Sequence, residues 1–535
     1  MKYIKLLVLI LLAFVLFLGG CQKEEEHQTE MDDPETVDKI TMGVDFLPEN
    51  ITLKYLDKVL EYWDLYNKLS DYDKEQVYNY DILVAAFAQA RELQDKMANI
   101  DAMFTETYNY INDNLPKVIA TEVGKIDIVQ SYKTSYDTIV DLVWDSSDAY
   151  TLSSSGYVTH KVYDVTVTLS ASMTVRTLEG KQSITFDILV KKRELRDLSN
   201  KQIVAGYMSY TSMQLDEDEL ETVDIVNYAF SQIIKTTVSG ETVFAISTPS
   251  VSNLSYLHDH GIRILLSLGG WQNDSSFWDT YRQAISTDET RKQVASAIYE
   301  TMMKYNLDGI DMDWEYPTSA DRDNFVLLMK EIREVFDANH CEDFLITAAI
   351  PAGSWSSQGY DFPKLEAYMD YYFLMTYDLD SGGVTRHHSA LYTSTYAPVS
   401  VESSVRYLLN QGVNPKKIVI GAAFYGRICE GVNNTNNGLG QSYSKRSTIS
   451  YTKIVSDYLS RLDTEVFKYY DSACHGYYLY DKVNKVFICY DAPETIIEKY
   501  NYAVDSGLGG LMFWSFNNNP TGELLEALHQ VKPGE

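Results

Sequence analysis

The sequence predicts an α/β protein whose larger part is a (β/α)8 TIM barrel. From Lys201 onward, short apolar strands alternate with helical segments, which is typical of a parallel sheet with crossover helices. The candidate strands begin near Ile203, Ile225, Ile264, Gly309, Phe344, Tyr371, Ile418 and Leu508. Eight such strands predict a closed barrel, and one long interval between them leaves room for a further small domain.

The long interval separates the seventh and eighth strands, since Ile418 and Leu508 are 90 residues apart. A small α+β insertion domain is therefore expected at about residues 428–492. Within it, residues 477–480 and 486–490 are rich in aromatic and β-branched side chains and flank a polar stretch. This pattern predicts a β-hairpin.

Two further units are expected ahead of the barrel. In residues 41–118 apolar side chains such as Leu56, Val59, Leu60 and Trp63 recur at helical spacing, which predicts a helical spacer. Residues 119–192 alternate apolar and polar side chains and resemble a small immunoglobulin-like β-sandwich of bacterial surface proteins. A stalk is favoured over a carbohydrate-binding module because no aromatic row is evident on its polar faces.

The first residues are interpreted as an export signal. Lys2 and Lys5 precede an apolar run that is too short to span a membrane, and the run leads into Leu-Gly-Gly-Cys ending at Cys21. This resembles a bacterial lipobox, so residues 1–21 are expected to be a lipoprotein signal peptide, with Cys21 as the lipid anchor in the membrane. Residues 22–40 are expected to form an acidic flexible tether. An ordinary secretory peptide is the alternative, and both imply location outside the cell.

Composition excludes several functions. A net charge of −31 over 535 residues argues against nucleic acid as a partner and favours a neutral glycan over an anionic one. The four cysteines besides Cys21 show no Cys-x-x-Cys spacing, so neither a metal site nor a cofactor is expected. Cys474 and Cys489 can either pair or remain isolated buried thiols.

Residues 308–317 (Asp-Gly-Ile-Asp-Met-Asp-Trp-Glu-Tyr-Pro) are the most informative segment. In a strand, Asp311, Asp313 and Glu315 point to one face and lie roughly 6 to 7 Å apart. At that spacing each carboxylate hinders ionisation of the next, so a proton is retained and a general acid becomes available. A solvated edge strand fits poorly, because the intervening residues are apolar.

The pattern Asp-x-x-Asp-x-Asp-x-Glu resembles that of glycoside hydrolase family 18, the chitinase family, and the resemblance extends over residues 200–530. It implies that Glu315 is the general acid and base, that Asp313 holds the substrate's acetamido group and that Asp311 buffers the charge of Asp313. Asp308 is out of phase with the other three and is interpreted as structural.

Other strand ends are expected to complete the site. The resemblance implies that Tyr377 meets the acetamido oxygen, and it predicts substrate contacts from Tyr207, Trp271, Trp355, Met375, Asp378, Tyr425, Arg427 and Trp514. Any of these aromatic residues can instead be core, and Arg427 can instead steady a carboxylate. Gly269 and Gly270 would let the backbone approach closely; a phosphate-binding loop is a poor alternative without a following Lys-Ser or Lys-Thr.

The function implied by the resemblance is that of an exported, retaining endo-chitinase acting on chitin or a related N-acetylglucosamine polymer. The nucleophile would be the substrate's own acetamido group. One alternative is an endo-β-N-acetylglucosaminidase acting on peptidoglycan or N-glycans. Another is a glycan-binding lipoprotein without activity, which the presence of Glu315 disfavours. The sequence does not indicate an oligomeric state.

Overall fold

The computed structural model describes residues 31–209, 214–251 and 254–532. Its helices, in chain order, are α1 (Pro34–Asp45), α2 (Leu53–Lys68), α3 (Asp71–Glu75), α4 (Tyr80–Ala98), α5 (Ile100–Asn114), α6 (Glu217–Thr222), α7 (Ser255–Asp259), α8 (Trp278–Ile285), α9 (Asp288–Tyr305), α10 (Arg322–Ala338), α11 (Phe362–Leu365), α12 (Val401–Asn410), α13 (Tyr451–Asp457), α14 (Pro493–Asp505) and α15 (Glu523–His529). Its strands are β1 (Val118–Ile119), β2 (Ser131–Lys133), β3 (Ile139–Ser146), β4 (Val165–Val175), β5 (Lys181–Val190), β6 (Ile203–Met208), β7 (Ile225–Ser231), β8 (Ile233–Val238), β9 (Glu241–Ile246), β10 (Arg263–Gly269), β11 (Gly309–Asp313), β12 (Leu345–Pro351), β13 (Tyr371–Met375), β14 (Ile418–Ala423), β15 (Tyr425–Glu430), β16 (Lys445–Ser450), β17 (Val466–Asp471), β18 (Gly476–Asp481), β19 (Val486–Tyr490) and β20 (Gly510–Trp514).

The predicted barrel is confirmed. Eight parallel strands close in the order β10-β11-β12-β13-β14-β20-β6-β7, and each begins within two residues of its expected position. Side chains along β6 alternate between the two sides of the barrel wall. Ile203, Ala205 and Tyr207 face the barrel interior, while Val204 and Met208 pack in the outer core that the helices cover. Every residue of this strand is buried.

Gly309 sets the spacing between β11, which carries the acid row, and its neighbour β12. Gly309 opens β11 with φ +150°, and a Cβ there would lie 2.1 Å from the carbonyl oxygen of Leu345 on β12. A larger residue would push β11 away from β12. Gly309 therefore fixes the register in which Asp311 lies opposite Thr347.

The insertion domain also forms as predicted, between β14 and β20. Its five antiparallel strands are ordered β16-β15-β19-β18-β17, with α13 packed beside them. The expected hairpin is the β18–β19 pair, in which Tyr480 lies opposite Phe487. The sheet begins at Tyr425, three residues before the expected start.

The prediction of a β-sandwich at residues 119–192 is wrong. The strands there form one sheet, ordered β1-β5-β4-β3-β2, and its apolar face packs against α5. One-sided alternation tells only that one face is buried, and a helix covers that face as well as a second sheet would. Trp144 lies on this buried face, where its indole donates to the carbonyl of Val129.

The predicted tether extends too far along the chain. Helix α1 begins at Pro34, where Asp33 caps the backbone N–H of Thr36, and it buries Val37 and Ile40. The tether was predicted from the acidic composition of this segment, although its few apolar residues form one buried stripe of the helix. Cys21 and the rest of the predicted signal peptide lie outside the described residues.

The four cysteines within the described residues are buried free thiols, so Cys474 and Cys489 do not pair. Among the same residues, no helix combines the length and the apolar character needed to cross a membrane.

A buried ion pair joins the segment before the barrel to the barrel floor. Arg193 contacts Asp308, the residue before β11, and both side chains are almost fully buried. Arg193 also donates to Asn306 at 2.6 Å and to the carbonyl of His160 at 3.2 Å. His258 completes the cluster, with its Nε2 2.7 Å from Asp308. The segment before residue 201 therefore closes the lower end of the barrel.

We expect Arg193→Ala to lower the free energy of unfolding by about 3–5 kcal/mol, because it leaves the Asp308 carboxylate buried without its paired guanidinium. Arg176→Ala is the matched control, since Arg176 pairs with Asp141 on the surface and its loss should cost roughly 0–1 kcal/mol. Urea unfolding of both variants measures the difference. Equal effects would show that the Arg193–Asp308 pair does not stabilise the fold.

Candidate active site

The acid row lies on β11, inside the barrel and at the end where the parallel strands point their carboxyl termini. Asp311 and Asp313 are 0% and 4% exposed, and Glu315 follows directly after the strand end. The predicted alternation holds, because Ile310, Met312 and Trp314 pack in the outer core. The three acids therefore form one column that rises from the barrel interior to its mouth.

Asp311 is held by hydroxyl groups from three other strands. Ser267 on β10 and Thr347 on β12 each donate to it at 2.8 Å, and Tyr207 on β6 donates at 2.9 Å. Burial raises the pKa of Asp311, and these three donors oppose that rise. Asp311 is consequently a fixed group with a satisfied carboxylate.

Asp313 differs from Asp311 in the hydrogen bonding of its carboxyl group. Its Oδ1 is buried and receives no hydrogen bond. Burial, followed by the charges of Glu315 and Asp311, raises the pKa of Asp313 well above its ordinary value. The raised pKa favours the protonated form of Asp313, in agreement with the proton that the sequence predicts for the row.

Glu315 lies at the top of the column. Burial raises its pKa to about 7, and the negative charge of Asp378 adds to the effect. A carboxyl group with this pKa is partly protonated at neutral pH. It can therefore donate a proton and later accept one, which is what general acid and base catalysis requires.

The end of β13 and the start of β15 supply a second cluster. Asp378 accepts a hydrogen bond from Tyr425 at 2.7 Å and pairs with Arg427 at 2.5 Å. Burial would raise the pKa of Asp378, but His388, Arg427 and Tyr425 hold it below its usual range. Asp378 is therefore ionised and already partnered. Arg427 thus steadies a carboxylate, one of the two roles considered for it.

Tyr377 lies between this cluster and the acid row. Burial and the charges of Asp313 and Glu315 raise its pKa well above the ordinary value, so it keeps its proton. Its hydroxyl makes one weak contact, 3.9 Å from the sulfur of Met512. A protonated phenol with so little competition is free to donate to a ligand.

Aromatic rings form the bottom of the candidate site. Trp514 stacks on Phe230 with ring centroids 5.6 Å apart and lies 5.4 Å from the ring of Tyr207. Met375 is partly buried against the same interior cluster. Tyr207 is fully buried and bonded to Asp311, so it fills the barrel.

Trp271 and Trp355 stand apart from the floor, because they are 64% and 72% exposed. They follow β10 and β12, the two neighbours of β11, and so lie on either side of the strand that ends near Glu315. Tyr316 approaches Trp355 edge to face at 6.1 Å. Indole faces exposed in this way are unusual for core residues and suit a flat, partly apolar ligand.

Gly269 lets β10 and β11 approach. It has φ +125°, and a Cβ there would lie 2.1 Å from the carbonyl oxygen of Asp313. The next N–H, that of Gly270, donates to this same carbonyl at 2.8 Å. The two glycines thus bind the backbone of the acid row and not a phosphate.

The structure brings together all of the predicted site residues at one barrel end except two. Asp308 lies at the opposite end, where burial would raise its pKa but Arg193 and His258 hold it below the ordinary value. Cys21 is outside the described residues. Sequence reasoning missed Ser267, Thr347 and His388. Ser267 and Thr347 lie directly opposite Asp311 on the two neighbouring strands. They can therefore be identified only when the pairing of the strands is known.

Comparison with known proteins agrees with this geometry. The family model for glycosyl hydrolases family 18 matches residues 203–519, which is more than half of the chain. The chain belongs to glycosyl hydrolases family 18. The match covers the barrel and the insertion domain, and it ends just after the strand that carries Trp514.

Two of the similar proteins are chitinases. Chitinase 1 from Aphanocladium album is 31% identical over 287 residues, which is 51% of this chain and 66% of that protein. Chitinase A1 from Niallia circulans is 28% identical over 322 residues, which is 53% of this chain and 45% of that protein. The chain thus spans about half to two thirds of the length of these relatives.

Two solved structures show the same fold. An N-acetylglucosaminidase from Paenibacillus barengoltzii is 32% identical with a TM-score of 0.54, covering 62% of this chain and 99% of that one. A multi-modular chitinase from Paenibacillus sp. is 21% identical with a TM-score of 0.53, covering 89% of this chain and 46% of that one. The second likeness concerns the fold alone, and it extends beyond the barrel.

We expect the carboxyl group of Glu315 to titrate near pH 7 and to titrate at lower pH in Asp378→Asn, because the substitution removes a negative charge that disfavours ionisation of Glu315. Carbon NMR of glutamate-labelled protein measures both midpoints, and the signal is assigned by its loss in Glu315→Gln. Asp279→Asn, on the exposed face of α8, is the charge-matched control and should leave the midpoint in place. A midpoint that stays constant or rises in Asp378→Asn would contradict the assigned coupling.

Proposed function

We propose that this protein is a glycoside hydrolase that cleaves β-1,4 bonds between N-acetylglucosamine units, as a retaining endo-chitinase. The observation that carries the proposal is the acid row on one side of β11, in which Asp313, buried and with a pKa raised well above its ordinary value, lies below Glu315, whose pKa is about 7. The chitinases among its relatives support the same substrate class.

The proposed chemistry uses the substrate's own acetamido group as nucleophile. Of the carboxylates described at this end of the barrel, Asp378 is ionised but paired with Arg427, and the raised pKa of Asp313 disfavours its ionised form, so neither is a free nucleophile. Glu315 donates its proton to the glycosidic oxygen as that bond breaks. The acetamido oxygen then bonds to the anomeric carbon, and an oxazolinium ion forms.

Asp313 and Tyr377 would position this acetamido group. The acetamide nitrogen carries a hydrogen that a carboxyl oxygen of Asp313 can accept, and the Tyr377 hydroxyl can donate to the acetamide oxygen. Water, activated by the now ionised Glu315, opens the oxazolinium ion. Two displacements at one carbon leave its configuration unchanged.

The exposed indoles support cleavage inside a glycan chain rather than at its end. Trp271 and Trp355 flank the strand that leads to Glu315, so sugars can be held on both sides of the cleaved bond. The sheet of the insertion domain adds a wall through Tyr425 and Arg427, which contact Asp378. Both features suit a long linear substrate better than a terminal sugar.

A second candidate is an endo-β-N-acetylglucosaminidase acting on peptidoglycan or N-glycans. The likeness to the Paenibacillus barengoltzii N-acetylglucosaminidase, which extends over nearly all of that structure, favours it. Its chemistry at Glu315 would be the same, so substrates and not residues distinguish the two.

We also propose that the protein works outside the cell, held to the membrane by a lipid on Cys21. The support is the sequence of the first 21 residues: two lysines, an apolar run and Leu-Gly-Gly-Cys. Secretion without an anchor is the alternative.

Glu315→Gln should lower kcat/KM on chromogenic chitobiose and chitotriose glycosides by roughly 100- to 10,000-fold, because the proton donor is lost. Glu334→Gln, an exposed residue of α10, is the control and should retain activity. Cleavage of peptidoglycan or N-glycans without cleavage of any chitin oligomer would support the second candidate. Binding of glycans without cleavage of any of them would contradict both.

The proposed mechanism also predicts that sugars without a 2-acetamido group are not cleaved, because they lack the nucleophile. Cellotetraose and chitotetraose, which differ mainly in that group, are the matched pair for product analysis by chromatography. Detectable cellotetraose hydrolysis by the parent protein, absent in Glu315→Gln, would contradict the substrate-assisted step.

A further inference from the structure

A second cluster of ligating side chains lies away from the acid row, where a barrel loop meets the insertion domain. His387 belongs to the loop after β13, while Asp471 ends β17 and Cys474 lies in the turn before β18. One ligand atom from each residue can be chosen so that all three lie within 4.8 Å of one another. Nitrogen, oxygen and sulfur donors from distant parts of the chain thus converge.

His387 is the informative member. It is 2% exposed, and its Nε2 lies 3.3 Å from Oδ2 of Asp471 without making a hydrogen bond. A buried imidazole nitrogen without a hydrogen bond is costly. Here it points at a carboxylate oxygen in a geometry unsuited to direct donation, and a cation held between the two would satisfy both.

The surrounding backbone holds the three residues in place. The carbonyl of Cys474 accepts two backbone hydrogen bonds at 3.1 Å, from Leu391 and Tyr392. Oδ1 of Asp471 accepts from the N–H of Ala473 at 3.1 Å, which leaves Oδ2 available.

Gly476 makes the space for the imidazole, because a Cβ there would lie 2.5 Å from Nδ1 of His387. The ring therefore packs directly against the backbone of the β17–β18 turn. The fold brings the ligand set together before any ion binds.

We propose that His387, Asp471 and Cys474 bind a divalent cation of the zinc class. Zinc accepts this combination of imidazole, carboxylate and thiolate, whereas magnesium and calcium prefer oxygen ligands alone. Bonds of about 2.0–2.3 Å to a tetrahedral ion require the ligand atoms to approach one another to roughly 3.5 Å, which small side-chain rotations supply. A water molecule would take the fourth position.

The role of this site would be structural. It joins the loop after β13 to the insertion domain, and the adjacent residue, His388, lies 3.8 Å from Asp378 and packs against the ring of Tyr425. A bound ion would therefore steady one wall of the cleft. The proposal does not depend on the proposed function, because it concerns metal binding and stability only.

The test is a titration of the chelator-treated full chain with Co²⁺. We expect the near-ultraviolet charge-transfer band of a cobalt–thiolate bond to appear with one equivalent and to vanish when Zn²⁺ displaces Co²⁺. Cys474→Ser should abolish the band. Cys341→Ser, which removes a buried thiol elsewhere in the barrel, is the control and should retain it.

Thermal unfolding provides a second measurement if a variant folds poorly. Zn²⁺ should raise the Tm of the parent and of Cys341→Ser, but not that of His387→Gln or Asp471→Asn. Absence of the cobalt band in the folded parent, or its persistence in Cys474→Ser, would overturn the proposal. An equal Zn²⁺-induced rise in Tm for the parent and both ligand variants would also overturn it.

Discussion

The structure is organised around the burial of three acids in one column of a closed barrel. Asp311 and Asp313 share a face of β11, Glu315 follows two residues beyond its end, and burial reduces the solvent screening of their charges. Each acid lies in a different environment: Asp311 accepts hydrogen bonds from three hydroxyl groups, Asp313 is buried with a strongly raised pKa, and Glu315 lies at the mouth of the barrel. This difference in environment separates the pKa values of neighbouring carboxyl groups, which acid and base catalysis requires.

A fourth acid, just before β11, has a structural role. Asp308 precedes β11 at the barrel floor, where Arg193 and His258 surround it. Arg193 comes from the segment that joins the N-terminal sheet to the barrel, so this segment is part of the barrel's lower closure. Removing everything before residue 201 would leave the buried carboxylate of Asp308 without its arginine partner. The N-terminal part is thus more closely integrated with the barrel than a spacer and stalk would be.

The insertion domain is integrated with the site in a similar way. Its first strand carries Tyr425 and Arg427, and both contact Asp378 at the end of β13. Further along, Arg446 of β16 pairs with Asp380 behind that cluster. The cleft wall is therefore held by charged contacts to the barrel, and its position influences the electrostatic surroundings of Glu315 through Asp378.

The sequence by itself determined the barrel, the insertion domain and the acid row, because alternation of side chains along a strand and the spacing of strands are local properties of the chain. It did not determine the partner of the N-terminal sheet, since alternation shows only that one face is buried and not what covers it. Nor did it identify Ser267, Thr347 and Arg193, or the convergence of His387, Asp471 and Cys474. These residues meet only when strands pair and loops fold back, and the distance between them in space has no counterpart in their distance along the chain.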